Sequence, residues 1–197
     1  TDRNSKSLAI SIPVDTISIN PKNFDEEDIK LEQLSFLLDK DHEELKKTIK
    51  NSKSKNFLYI ERKVPTNISD QIKLLNIAKL DFKREYKRSY PAGEIISQLL
   101  GLTNIDEEGK EGIELQYDSS LRGITGVKRI LKDKHNRHIE NIKIIKSPKS
   151  GTDLMLSIDL RLQHIAHRAL ERAIIENKAY SGSVILVDAP RGEILAI

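Results

Sequence analysis

A polar turn, Asp2-Arg3-Asn4-Ser5-Lys6-Ser7, opens the chain and leads into Leu8-Ala9-Ile10-Ser11-Ile12-Pro13-Val14, after which apolar residues keep alternating with polar ones through Ile17 and Ile19. A period of two predicts two short strands here. From Asp25, Glu26 and Glu27 the period changes, and Ile29, Leu31, Leu34, Leu37 and Leu38 recur at helical spacing. Acids at the start suit the positive end of a helix dipole. A second short helix is expected from Asp41, with Glu44 three residues on as in a capping box, closing on Lys46, Lys47 and Lys50. Residues 51–56 read as a loop and 57–60 as a strand. Thr66 or Asn67 is expected to cap a helix carrying Ile68, Ile72 and Leu75. Leu80, Phe82, Arg84 and Tyr86 then alternate as a strand that Pro91 and Gly93 terminate.

The second half is punctuated by glycine. Gly101, Gly109, Gly112, Gly123 and Gly126 fall close together, which predicts a region governed by close backbone approach more than by side-chain burial. Two strands, 127–131 and 139–145, flank the polar turn Asp133-Lys134-His135-Asn136 and read as a hairpin. Ser147-Pro148-Lys149-Ser150-Gly151 reads as a linker. Beyond it the spacing predicts a strand over 154–158, Asp159 as an N-cap, and an amphipathic helix whose stripe is Leu162, Ile165, Ala166, Ala169, Leu170, Ala173 and Ile174. A second hairpin pairs 184–187 with 194–197. Burying its Val, Ile and Leu side chains would contribute about 1.5–3 kcal/mol each, more than one helix can cover. Residues 152–197 are therefore expected to begin a larger domain, with the hairpin mobile or paired to another chain.

Composition narrows the chemistry. The 197 residues include no Cys and no Trp, which excludes disulfides, Cys-based zinc or iron–sulfur sites and a thiol nucleophile, and leaves the redox compartment open. No apolar run approaches the roughly 18 residues of a membrane span, and no signal-peptide pattern opens the chain. The 33 Lys+Arg nearly balance 30 Asp+Glu, for a net charge of +3. That is too little to imply a nucleic-acid partner. His164 and His167, or His135 and His138, offer only two metal ligands each and read as surface or helix-face histidines. Asp106, Glu107, Glu108 and Glu111 read as solvated loop charge, and Lys-rich 46–55 as a solvated face. No cofactor is expected.

Longer strings carry a resemblance. Arg88-Ser89-Tyr90-Pro91-Ala92-Gly93 is followed by Leu99-Leu100-Gly101-Leu102-Thr103-Asn104, by Gly109-Lys110-Glu111-Gly112-Ile113-Glu114, by Tyr117-Asp118, and by Leu121, Gly123 and Gly126. In order and spacing this resembles the non-catalytic region of class B penicillin-binding proteins. Asp2-Arg3-Asn4 with Leu8-Ala9 is similar to the family's first motif. Leu156-Ser157-Ile158-Asp159 with Gln163, then Ser181-Gly182-Ser183, Val187-Asp188 and Gly192-Glu193-Ile194-Leu195-Ala196, is similar to the start of its transpeptidase domain. The likeness spares only about 24–60. The short path to Tyr90-Pro91 and the wording Gly101-Leu102-Thr103-Asn104-Ile105-Asp106 look more like the cell-division transpeptidase than the elongation one. Ser5 and Asn136 stand where the family usually has glycine, implying left-handed turn residues, and Gln98 replaces a common His.

The resemblance implies an α+β chain: an elongated non-catalytic pedestal over 1–150, with 24–60 its variable helical part, and the opening strand, helix and hairpin of a transpeptidase domain over 151–197. Its structural motif residues are Asp2, Arg3, Arg88, Tyr90, Pro91, Gly93, Gly112, Glu114, Gly123, Gly126 and Asp159. The family's catalytic strings occur by letter at Ser18-Ile19-Asn20, Ser52-Lys53-Ser54-Lys55 and Lys149-Ser150-Gly151, but in the wrong order and ahead of the domain that should hold them. The reaction needs Ser and Lys one turn apart at a buried helix start, so these are read as chance, and no catalytic residue is assigned. Arg3, Arg88, Glu111, Glu114 and Arg122 are expected to form one ion-pair cluster. The implied setting is the outer face of the cytoplasmic membrane, with a membrane span ahead of Thr1. The implied partners are a membrane-embedded glycan polymerase and other division proteins. Stem peptides and β-lactams would bind outside this chain. An elongation-type relative, a stand-alone polyanion- or peptidoglycan-binding module and a complete enzyme of another type are the competing readings.

Overall fold

A computed structural model describes residues 1–25, 29–132 and 138–197. It is α+β and divides into two units, a middle unit of Ser11–Arg88 and a flanking unit of Thr1–Ile10 with Ser89–Ile197. Among the described residues no helix is long and apolar enough to cross a membrane.

The middle unit is built on a sheet of order β2-β1-β3, with β1 Ile10–Ile19, β2 Leu58–Pro65 and β3 Leu80–Ser89. The two strands expected at the start are one: Pro13 lies outside the stretch paired with β2, which begins at Val14 opposite Pro65, so the ladder to β2 does not need its missing N–H. The strand expected over 57–60 continues to Pro65. The charges of Glu61, Arg62 and Lys63 break the alternation, but the register shifts beside Thr16 and Lys63 adopts a positive φ of 58°. This lets Arg62 turn to Glu85 at 3.6 Å.

Helices α1 Lys30–Leu37, α2 His42–Asn51 and α3 Thr66–Leu74 supply the core together with the sheet. Leu31, Leu34, Ile49 and Ile72 are fully buried against Ile17 and Ile19. Asp41 caps α2, its carboxylate accepting from Glu44 N at 2.8 Å, as the spacing predicts. Two other expected starts differ. Ile29 occupies the cap position of α1 without a side-chain bond, while Glu26 and Glu27 lie outside the described residues. Thr66 is the first residue of α3 and not its cap, because β2 passes directly into the helix at Pro65. The buried Asp15 is held by Ser69 Oγ at 2.5 Å, Arg84 Nε at 2.6 Å and Lys73 Nζ at 2.9 Å. Burial pushes its carboxyl up, and these three donors more than offset that, leaving it below the ordinary range.

In the flanking unit a 3₁₀ turn, Gly93–Ile96, passes into the short helices α4 Ser97–Leu100, α5 Gly112–Gln116 and α6 Asp118–Leu121. Close backbone approach does dominate here. Gly112 has φ +58°, and a Cβ on it would lie 2.5 Å from Leu99 O and 2.7 Å from Gly101 N. The hairpin of β4 Val127–Lys132 and β5 His138–Lys146 pairs as expected, with its turn and Asn136 outside the described residues. The expected linker is not loose. Lys149 and Ile124 exchange both backbone hydrogen bonds, at 2.7 and 3.0 Å, and Thr152 N donates to Ser120 O. Apolar neighbours are not needed when the backbone itself is paired, which is why composition misread it. Helix α7 Leu160–Asn177 and the hairpin of β6 Leu186–Asp188 and β7 Glu193–Ala196 complete the unit.

Candidate functional site

Three of the residues that the sequence singles out, Asp2, Arg3 and Asp159, converge on a joint where the start of the chain meets residues 154–163 and β7. Ser5 takes φ +63°, the left-handed turn implied by its place in the first motif. That turn folds the chain back on Asp2, whose Oδ1 accepts from Asn4 N and Lys6 N, both at 2.8 Å. Its Oδ2 accepts from Leu160 N at 3.2 Å, at the start of α7. Asp2 is fully buried. Burial alone would raise its pKa, but the three backbone donors outweigh it and the group sits below its usual value.

Asp159 is the N-cap of α7, as expected, accepting from Arg161 N at 2.9 Å. The Arg161 guanidinium lies on the same carboxylate, Nη2 on Oδ2 at 3.0 Å and Nε on Oδ1 at 3.2 Å, and Asn4 Nδ2 also donates to Oδ2 at 3.0 Å. The Arg161 bond, ahead of every other influence, holds Asp159 well below the carboxylate range. Both acids are thus ionised acceptors for fixed donors, unsuited to carry protons at neutral pH.

The segment 154–158 forms no regular strand. It runs extended beside the first residues, with Thr1 N donating to Leu154 O, Leu156 N to Thr1 O and Arg3 N to Ile158 O. Next to it β7 is gripped nearly residue by residue. Glu193 pairs with Arg3 at 3.3 Å, Ile194 O accepts from Ser157 Oγ at 2.7 Å, and Leu195 O accepts from Asp159 N at 2.9 Å. Ala196 is fully buried. Ile197 exchanges bonds with the Gln163 side chain, its N donating at 2.9 Å and its O accepting at 2.6 Å. The second strand of the hairpin, expected to be mobile or paired to another chain, is therefore fastened within this one. Leu8, Ile96, Leu100 and Ile158 form the core beneath, with Tyr90 packed against it.

The remaining motif residues fall elsewhere. Pro91 and Gly93 shape the turn after Tyr90, where Gly93 N donates to Tyr90 O at 3.0 Å and Gly93 has φ +60°. Glu114 is buried in α5. Gly123 and Gly126 press against Lys149 O and Pro148. Arg88 belongs to the middle unit, where it donates to Ser11 Oγ. Two arginines of the expected ion-pair cluster have partners outside it. Arg3 pairs with Glu193, whereas Arg122 pairs with Asp118 at 3.3 Å and Glu108 at 3.7 Å. Glu108 also accepts from Lys110 and from Asn104, so part of the acidic loop is charge-balanced within itself.

The three catalytic look-alikes lack the required setting. Ser52 is the C-terminal cap residue of α2, not a residue at a helix start. Ser18 is buried within β1, and Lys149 is held in its bridge to Ile124. The sequence reading gave no role to Asn4, Ser157 or the bond-making of Gln163. The signal for Gln163 was available, since a polar side chain three residues after Leu160 and three before Ala166 lies on the covered side of the helix.

What the joint can do follows from its parts: it binds backbone to backbone and fixes a strand, and the side chains of Asp2, Arg3, Asn4, Ser157, Asp159 and Gln163 are engaged in doing so. The model of the Penicillin-binding Protein dimerisation domain matches residues 1–156. The Probable peptidoglycan D,D-transpeptidase PbpC of Pseudomonas aeruginosa is 38% identical over the whole chain, which covers 35% of that protein. The Peptidoglycan D,D-transpeptidase FtsI of Escherichia coli K12 is 37% identical, again over the whole chain and 34% of its own length. The chain thus spans about a third of the length of these relatives. Among solved structures, a penicillin-binding protein (PBP2) of Helicobacter pylori, in complex with MreC, shares the fold. Its TM-score is 0.65 at 23% identity, over 99% of this chain and 39% of that one. Penicillin Binding Protein 2X of Streptococcus thermophilus does likewise, with a TM-score of 0.65 at 20% identity, over 99% and 33%. The chain belongs to the penicillin-binding protein dimerisation-domain family.

Proposed function

We propose that the chain is the pedestal of a septal peptidoglycan D,D-transpeptidase, with a boundary near residue 150 beyond which the transpeptidase domain begins. It stands between a membrane anchor and that domain, on the outer face of the cytoplasmic membrane, and fixes how the domain starts. The observation that carries this reading is the grip of Asp2, Arg3, Asn4, Ser157 and Asp159 on the beginning of α7 and on β7. Acyl transfer from a stem peptide, and reaction with β-lactams, belong to the rest of that domain. Ile165, Ile175 and Ile185 are each more than half exposed, apolar surface that suits cover by further layers of the same domain. Relatives named FtsI support the septal assignment. The division partners, a membrane-embedded glycan polymerase among them, would meet the pedestal, and the solved complex of a similarly folded protein with MreC supports partner binding by this fold.

Depleting the protein in the cell that carries it tests the assignment. Long filaments with unfinished septa are expected, and round, swollen cells would overturn the septal reading in favour of elongation.

A further inference from the structure

Resting on the pedestal reading, we propose that Gln163 is a positioning residue for the transpeptidase: through it the turn that follows Tyr90-Pro91-Ala92-Gly93 sets the end of β7, and so the sheet on which the catalytic centre is assembled. Gln163 is the buried side chain of α7, only 3% exposed on a helix whose other residues are half-buried or exposed. Its amide makes three hydrogen bonds, and they divide between two segments far apart in sequence. Nε2 donates to Ile95 O at 2.9 Å, inside the 3₁₀ turn, and also to Ile197 O at 2.6 Å. Oε1 accepts from Ile197 N at 2.9 Å.

A primary amide is suited to this bridge. It offers two donors and an acceptor in one plane, so it can hold both backbone groups of Ile197, the residue just after β7, and keep a donor for a second segment. The helix holding it is itself fixed, since Asp159 caps α7 and Asp2 binds Leu160 N. The other ties on β7 come from the first motif and from 157–159. Gln163 adds a tie from the turn after Gly93, whose residue Ile96 is packed in the core with Leu8 and Ile158. A displacement of that turn would therefore reach the inner end of β7 through a side chain with little freedom to absorb it.

The test uses two preparations. In the 197-residue chain, amide exchange is compared between the parent and Gln163→Met, which fills similar volume without hydrogen bonds. The Ile197 amide is expected to exchange at least tenfold faster in the variant, while the Asp159 amide, bonded to Leu195 O, stays protected. In the full-length protein, acylation by a fluorescent penicillin is followed at several concentrations. Gln163→Met is expected to lower the acylation rate constant about tenfold, with the dissociation constant of the initial complex changed less than twofold and the melting temperature of the pedestal retained. Gln163→Ala should behave in the same way, and provides the test if the Met variant does not fold. An Ile197 amide unchanged by the substitution, or acylation within twofold of the parent, overturns the proposal. A full-length parent that penicillin does not acylate would instead defeat the transpeptidase reading, and the exchange experiment would still decide whether Gln163 fixes β7.

Discussion

Asp2 shows how much one short side chain can hold. Its two oxygens accept three backbone N–H groups, two in its own turn and one at the head of a helix 158 residues away. Asp2→Asn places an amide N–H₂ where one of these donors needs an acceptor. Leaving a buried donor unmatched costs about 1–3 kcal/mol, and urea unfolding at pH 7 should show that loss. The pH dependence has a definite sign. Asp2, Asp15, Glu85 and Asp159 all have folded pKa values below their ordinary ones, so the unfolded chain binds more protons than the folded one. Their stabilisation is complete above the unfolded pKa, about 4 for a carboxylate, and disappears as pH falls through the lower folded values. Unfolding free energy measured at pH 7, 5, 4 and 3 should therefore be flat at first and then fall, with a shallower fall in Asp2→Asn. An identical acid slope in the two proteins would show that Asp2 is not among the groups responsible.

Elements of this chain were legible wherever a local rule fixed them. The cap of α2 at Asp41, the cap of α7 at Asp159 and the hairpin of β4 and β5 follow from spacing alone. The misreadings share a cause: what the segment needed was supplied from a distance. Residues 154–158 read like a strand, yet their backbone hydrogen bonds go to Thr1 and Arg3. The 147–151 segment looks free because its partner Ile124 is over twenty residues back. The site was legible as motifs and opaque as geometry, since nothing local tells that Arg3 pairs with Glu193 rather than with Glu111 or Glu114. The glycines lie between these cases. Their clustering signalled close approach, but the facing pair Gly101 and Gly112 emerges only from the fold. Gly112→Ala must place a methyl group against Leu99 O and Gly101 N at a positive φ. The expected loss is about 2–3 kcal/mol, read as a lowered midpoint in chemical denaturation. A midpoint equal to the parent's would mean that α4 and α5 can separate without cost.

The whole molecule consists of two units that organise their interiors differently. The middle unit surrounds its apolar core with a sheet, three helices and the Asp15 hub, all drawn from Ser11–Arg88. A polypeptide of residues 11–88 is therefore expected to fold alone, with a dispersed amide spectrum and a cooperative thermal transition. A collapsed spectrum without such a transition would show that its core depends on the flanking residues. The flanking unit is assembled from both ends of the chain, and this has a consequence for the order of events as the protein emerges. Asp2 and Arg3 precede by more than 150 residues the Leu160 N–H and the Glu193 carboxylate that they engage. The middle unit closes mainly local loops and can complete in the meantime, whereas the grip on β7 must wait for the longest loop closure in the chain. Until then the first motif keeps only its local bonds, from Asn4 N and Lys6 N to Asp2, so the maturation of this region waits on residues 160–197 and not on the folding of its earliest.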